Sequence, residues 1–465
     1  MTATAGGDPF QDTIAAIATP PGEGGIGIVR LSGPRALEVA ARVFSPSSGA
    51  DPQQFATHTI HHGHVVDPDS GAAVDEVLLL LMRAPTSYTG EDVVELHGHG
   101  GRICLQAILH LVLRHGTRPA LPGEFTRRAF LNGRLDLAQA EAVLGVVRAK
   151  TEAGLKAALR QLQGGLSERV RALRAELISL LATLEASVDF PEEGLDLPEV
   201  GELEKRIYRI EDGLRALIRK AREGRLLQEG AAVIIAGRPN VGKSSLLNAL
   251  LGRGRAIVST LPGTTRDTVE EEIQIGGIPV RLIDTAGLRQ EEGDPVGAEG
   301  LRRTRTAMQR ADLIIVVFDG SEGITPLDLQ VWSETRGPRV LVVNKSDLPS
   351  ALSRVAYQGR FGVEPLFTSA LTGQGVEAVR LQLQQLLRGE AEGEVLVMVG
   401  PRHREALERA EGHLLSARRA LGEGVSLELV ALDVRAGLNA LGEVLGETVT
   451  EEVLDQIFRD FCIGK

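Results

Sequence analysis

Gly237-Arg238-Pro239-Asn240-Val241-Gly242-Lys243-Ser244 satisfies the spacing G-x-x-x-x-G-K-S. An apolar run, Ala231 to Ala236, precedes it and a helical run, Ser245 to Leu251, follows, the strand, loop and helix setting in which such a loop cradles phosphate. Its glycines let backbone N–H groups point at phosphate oxygens, at the positive end of the next helix. Lys243 adds a point charge for the β and γ phosphates, and the Ser244 hydroxyl is suited to magnesium. The chain has 54 glycines but few lysines, so a chance match is rare.

Further along, Asp284-Thr285-Ala286-Gly287 ends the apolar run Val280 to Ile283. That places Asp284 to hold the water shell of magnesium and the Gly287 amide against the γ-phosphate. Asn344-Lys345-Ser346-Asp347 ends a second run, Val340 to Val343. A carboxylate at Asp347 accepts two hydrogen bonds from the N–H edge of guanine, which adenine lacks, a discrimination on the order of 10⁴ to 10⁵. Ser369 and Ala370, after Leu366 and Phe367, complete the base pocket. Thr264 and Thr265 lie between the phosphate loop and Asp284, where a switch segment offers a hydroxyl to the metal. Three motifs in this order predict a GTP site. Leu288 follows the Asp284 motif and is apolar, so the group that orients the attacking water comes from elsewhere.

At 465 residues the chain is long enough for about three domains of roughly 100 to 200 residues. It is 43% hydrophobic and 24% charged, which excludes a mainly disordered, collagenous or rod-like chain. A net charge of −11 argues against non-specific coating of nucleic acid or anionic membrane. Two cysteines, Cys104 and Cys462, cannot make a disulfide framework and fit a reducing compartment. The N-terminus is unlike a signal peptide, and no apolar run nears the roughly 18 residues of a membrane span. The expected location is cytoplasmic.

Texture divides the chain into a multidomain protein. Residues 1–130 carry strand-like runs at Gly25 to Leu31, Thr57 to Val66, Val74 to Met82 and Asp92 to Leu96, plus a helical stretch Arg102 to His115, which predicts an α+β domain. Residues 131–229 are helical, including Val200 to about Gln228, and helical texture returns over 394–465. Residues 230–393 read as an α/β P-loop GTPase domain inserted into the all-α helical domain, with its ends close together.

Several blocks carry a family resemblance over nearly the whole chain. They are Ala18-Thr19-Pro20-Pro21-Gly22 with Gly24 to Arg30, Tyr88 to Asp92 with Glu95, Gly98-His99-Gly100-Gly101, Pro122 to Thr126, Arg128 to Asp136, and the terminal Phe461-Cys462-Ile463-Gly464-Lys465. With the nucleotide motifs, they resemble the tRNA-modification GTPase family MnmE, also called TrmE. The resemblance implies a GTP hydrolase that helps add a carboxymethylaminomethyl or aminomethyl group at carbon 5 of a wobble uridine in tRNA. It implies a one-carbon tetrahydrofolate donor, 5,10-methylene or 5-formyl, and a flavoprotein partner, MnmG or GidA, in a heterotetramer. It also implies homodimerisation through the N-terminal domain, potassium stimulation and magnesium.

By position, the resemblance assigns folate contacts to Arg30, Glu95, Arg134 and Lys465, potassium ligands to Asn240, Ser259, Leu261 and Thr264, and magnesium ligands to Ser244 and Thr265. It extends the GTP set to Val241, Ser245, Thr260, Pro262, Gly263, Thr285, Ala286 and Leu371. Where the family has a water-orienting glutamate, this chain reads Val296-Gly297-Ala298-Glu299-Gly300. Position 297 has no side chain, so Glu299, or Glu292, is the candidate replacement. Cys462 is either a half-buried thiol near the chain end or a reactive group beside the folate carbon.

Other groups invite other readings. His58, His61, His62 and His64 suggest a metal, but alternation along a strand splits them between two faces, and no carboxylate stands at ligand spacing. Glu91 and Asp92 fit a charged turn. A GTP-switched RNA or ribosome assembly factor without carbon chemistry explains the middle domain equally well, but leaves Arg30, Glu95 and the terminal Cys462 to Lys465 unexplained.

Overall fold

Alternation of buried and exposed side chains builds the first of two units. The computed structural model describes residues 12–189, 199–253, 270–284, 311–388 and 398–465. Unit one comprises Met1–Leu144, Ser167–Ile178 and Arg435–Lys465; unit two comprises Gly145–Leu166 and Ser179–Val434. The helical residues are thus divided between the two.

In unit one a seven-stranded sheet contains β1 (Ile14–Ile17), β2 (Gly24–Ser32), β3 (Phe44–Pro46), β4 (Thr59–Val66), β5 (Ala73–Met82), β6 (Val93–Gly100) and β7 (Arg118–Pro119). Their order is β3-β4-β5-β6-β2-β1-β7, and β7 alone runs parallel to its neighbour. Val77, Leu79 and Leu81 of β5 point into a core with Val29, Leu31 and Leu96. The helices Ala36–Val43 and Arg102–Arg114 cover that face through Val39, Ala40, Val43, Ile108 and Val112. The opposite face carries Arg30 directly across from Glu95.

The four expected strand runs are present, three with boundaries moved by at most two residues and the fourth extended by four, from Leu96 to Gly100. The sequence reading missed β1, β3, β7 and the helix Ala36–Val43, because segments this short carry too few periods to stand out from flanking Gly and Pro.

A buried ion network lies at the β1 end of the sheet. Arg128, 2% exposed, donates to Asp12 Oδ1 at 2.6 Å, Glu124 Oε1 at 3.0 Å and Glu91 Oε1 at 3.1 Å. Arg118 donates to Glu124 Oε1 at 2.5 Å from the other side. The desolvated guanidinium persists because three carboxylates surround it.

Unit two holds a six-stranded sheet of β8 (Ala231–Ala236), β9 (Glu270–Ile275), β10 (Ile278–Asp284), β11 (Leu313–Asp319), β12 (Arg339–Asn344) and β13 (Leu366–Phe367). The order is β13-β12-β11-β8-β10-β9, parallel except for the edge strand β9. β8, β11 and β12 are continuous apolar runs because helices cover both faces. The chain order leaves β8 between β10 and β11, a switch point whose C-terminal edge is where doubly wound sheets take ligands.

Two long helices of the same unit lie antiparallel. Val200–Glu229 and Pro401–Gly422 are joined where Arg418 Nε donates to Glu211 Oε1 at 2.9 Å and Arg215 Nε donates to Glu411 Oε1 at 2.7 Å. Gly224 sits against Met398 and Val399, so the chain returns from the sheet beside the point where it left. Among the described residues, no helix is long and apolar enough to cross a membrane.

Candidate functional site

The loop after β8 enters the helix Lys243–Arg253 through two left-handed residues, Asn240 at φ 65° and Gly242 at φ 92°. A Cβ on Gly242 would stand 2.3 Å from Asn344 Nδ2, so only glycine fits there. Asn344, 2% exposed, ties the site together. Its Nδ2 donates to the Val241 carbonyl at 3.0 Å, while its Oδ1 accepts from Ala370 N at 3.0 Å and Thr368 Oγ1 at 3.3 Å. One amide thereby locks the phosphate loop, the end of β12 and the turn after β13 in a single arrangement.

Lys243 is buried, and its ammonium donates to the Arg238 carbonyl at 2.9 Å within the loop. Ser244 is exposed and donates to Asp284 Oδ2 at 2.7 Å. A hydroxyl and a carboxylate in contact at the mouth of a phosphate loop are hard oxygen donors, which fit magnesium. Asp347 and Leu371 are exposed, while Ser369 is fully buried and accepts from Thr372 N at 3.2 Å. Ser245 opens the helix on its exposed side.

In unit one, Arg30 Nε donates to Glu95 Oε1 at 2.8 Å, and its Nη1 donates to the Gly464 carbonyl at 3.3 Å. The second carboxylate oxygen of Glu95 is 2.9 Å from His97 Nε2. Burial pushes the Glu95 carboxyl upward, but the His97 and Arg30 contacts outweigh it and hold Glu95 below its ordinary value. Two guanidiniums approach the Tyr88 ring, Arg30 at 5.5 Å and Arg134 at 5.3 Å from its centroid. Phe125 presents a second ring to Arg30 at 5.6 Å. A cation, a held carboxylate and flat rings together suit a planar heterocycle with an N–H edge.

The description MnmE helical domain matches residues 137–462, and GTP-binding protein TrmE N-terminus matches residues 13–134. The tRNA modification GTPase MnmE of Heliobacterium modesticaldum is 48% identical over 466 residues, covering 98% of this chain and 99% of its own. That of Moorella thermoacetica is also 48% identical, over 470 residues, covering 98% of this chain and 100% of its own.

The chain belongs to the MnmE family of tRNA modification GTPases.

Of the residues that the MnmE resemblance assigns, the structure brings Arg30 and Glu95 together, with the neighbouring Gly464 carbonyl on Arg30, and places Arg134 beside Tyr88, where its Nη1 donates to the Tyr88 carbonyl at 2.9 Å. Lys465 is half-buried next to Gly464, and its N–H donates to the Cys462 carbonyl at 3.3 Å. Cys462 itself is exposed, which corrects the half-buried alternative: its carbonyl, not its thiol, faces Gly123 N. Ser259, Thr260, Leu261, Pro262, Gly263, Thr264, Thr265, Thr285, Ala286, Gly287 and Glu299 lie outside the described residues, as do Leu288, Glu292 and Gly297.

The histidines have partners from outside their own run. Neighbouring strands supply carboxylates that linear spacing concealed: Glu76 lies 2.7 Å from His62, and Asp75 lies 2.6 Å from His99. His61, on the other face, stacks on Phe55. Among the described residues the run forms no group of three metal-capable side chains. Sequence reasoning assigned no role to Tyr88, His97 or Thr368. The period-2 spacing of His97 from Glu95 was the available signal for one of them.

Proposed function

We propose that the protein hydrolyses GTP to drive modification of a wobble uridine in tRNA, adding a carboxymethylaminomethyl or aminomethyl group at carbon 5. The observation that carries the reading is the meeting of the phosphate loop, Asp284 and the Asn344 to Asp347 segment at one edge of the β8 to β13 sheet, in a chain 48% identical to a tRNA modification GTPase over 98% of its length.

In this reading Lys243 exchanges the Arg238 carbonyl for phosphate oxygens, and the loop N–H groups, with Asn240 and Gly242 in left-handed conformations, converge on the same anion. Ser244 and Thr265 would hold magnesium, with Asp284 holding its water shell, and the ion would supply charge neutralisation at the transferring phosphoryl. Asn240, Ser259, Leu261 and Thr264 hold potassium, whose charge does for the transition state what an arginine finger does elsewhere. Asp347 reads the guanine edge, Ser369, Ala370 and Leu371 close the base pocket, and Glu299 orients water. Arg30, Glu95, Arg134 and Lys465 hold the tetrahydrofolate, which supplies the carbon, with Cys462 beside it.

The working partition is 1–130 for folate binding and homodimerisation, 131–229 with 394–465 for the helical part, and 230–393 for GTP. The partner is a flavoprotein of the MnmG type, and the setting is cytoplasmic. Calorimetry of the whole chain with GTP, ATP and 5-formyltetrahydrofolate tests this. GTP uptake without ATP uptake, and folate uptake lost in Arg30→Ala, are the expected results. ATP bound as readily as GTP sinks the nucleotide half, and GTP uptake without folate uptake favours an assembly factor.

A further inference from the structure

Asp319 closes β11 in register with Asn344 of β12, and it is 4% exposed. Its Oδ1 accepts from Ser321 N at 3.0 Å and Ser321 Oγ at 2.6 Å, and its Oδ2 lies 2.6 Å from Lys345 Nζ. The backbone beneath is braced too, since Gly320 N donates to the Asn344 carbonyl at 2.8 Å. Burial raises the Asp319 pKa, but the bonds from Lys345 and Ser321 outweigh it and keep the carboxyl below its ordinary value. The acid is therefore ionised when it meets the lysine.

Lys345 takes φ 62°, a left-handed conformation that a non-glycine residue keeps only where its surroundings over-determine it. Such strain collects at functional positions. Arg238 of the phosphate loop reaches the same acidic corner, with Nε 3.3 Å from Asp328 Oδ1 and Nη2 2.5 Å from Glu322 Oε2 and 4.0 Å from Asp319 Oδ2. Arg238 has carboxylates of its own, whereas Asp319 Oδ2 holds Lys345 at short hydrogen-bond length.

A lysine with a free ammonium gives up rotamer freedom when a flat base stacks along its stem. One whose ammonium is already fixed gives up less, the usual advantage of preorganisation. We infer that Asp319 is a positioning residue for nucleotide recognition: it anchors the Lys345 ammonium so that the four-carbon stem stands as a fixed apolar wall for the face of guanine, while Asp347 reads the edge. This deepens the nucleotide reading above and rests on it.

A double-mutant cycle on the full chain tests it, with GDP and IDP affinities measured by calorimetry in magnesium buffer for the unaltered protein, Asp319→Asn, Lys345→Met and the double variant. Asp319→Asn should weaken GDP about tenfold, the scale of one charge-assisted hydrogen bond. Because Asp319 acts through Lys345, the double variant should bind no more weakly than Lys345→Met alone. GDP and IDP should weaken by the same factor, since the edge contact is untouched. Losses that add, or undiminished affinity in Asp319→Asn, overturn the inference. If Asp319→Asn does not fold, undiminished GDP affinity in Lys345→Met overturns it instead. Failure of the unaltered chain to bind GDP removes the underlying nucleotide reading; GDP binding with an additive cycle removes the inference alone.

Discussion

Gly242→Ala puts a methyl group where the structure has no room, and two separate terms set its cost. At φ 92° an alanine pays the left-handed penalty of about 1 to 2 kcal/mol. The new Cβ would stand 2.3 Å from Asn344 Nδ2, and that side chain cannot swing aside, because it is 2% exposed and bonded to Val241, Ala370 and Thr368. Breaking one of those buried bonds adds about 1 to 3 kcal/mol. The sum, roughly 2 to 5 kcal/mol, falls on the nucleotide-binding arrangement and corresponds to a loss of about 30- to 5,000-fold in guanine nucleotide affinity. Displacement of N-methylanthraniloyl-GDP followed by fluorescence measures it. Gly252→Ala, on the helix that follows, is the control: a Cβ there meets nothing within 4 Å, so it should bind normally and gain up to about 1 kcal/mol in stability. Gly242→Ala affinity within about threefold of the unaltered protein would falsify the reasoning.

Arg128→Met leaves Glu91 partly buried without its cation and Glu124 with Arg118 alone, and urea unfolding should show about 3 to 5 kcal/mol lost from the first unit. Burial and its hydrogen bond to Asp75 push the Cys104 thiol up to about 11. At pH 8 its thiolate fraction should be about 100-fold below that of an ordinary thiol, so iodoacetamide should label Cys462 well before Cys104, as peptide mass spectrometry can read. Glu95 and Glu124 are held below their ordinary values by their arginine and histidine contacts, so the stability they contribute is present above the unfolded value of about 4.3 and lost as pH falls through the depressed values. Glu124→Gln should flatten the acid limb of a plot of denaturation midpoint against pH, and an unchanged limb would remove the assignment. Gly464→Ala, at φ 96° with the Ile17 carbonyl 2.5 Å from the new Cβ, should lift the terminal segment from Arg30 and weaken 5-formyltetrahydrofolate in calorimetry at least about tenfold.

The phosphate loop was legible because its chemistry needs particular residues at fixed spacing along the chain, and Ala231–Ala236 ends where the apolar run ends. Asn344 and Asp284 were legible for a related reason: each is the polar residue that closes a largely buried strand. Asp319 obeys the same pattern at the end of Leu313–Asp319, yet it passed unremarked because its partner, Lys345, comes from the neighbouring strand's loop. Cross-strand partners are what linear spacing hides, and His62 with Glu76, His99 with Asp75 and Arg30 with Glu95 are all of that kind. Arg30 and Glu95 were singled out only because a family resemblance pointed at them; register then placed them side by side. Short elements such as Ile14–Ile17 escaped because their conformation is set by neighbours in space, not by their own sequence.

The antiparallel helices Val200–Glu229 and Pro401–Gly422 are far apart in sequence, and the folded sheet between them brings them alongside each other. Without that sheet, the long intervening segment would have to close as a floppy loop, at an entropic cost that grows with its length. A ligand that binds only the folded sheet therefore also firms up the clasp of Glu211 by Arg418, although it never touches either residue.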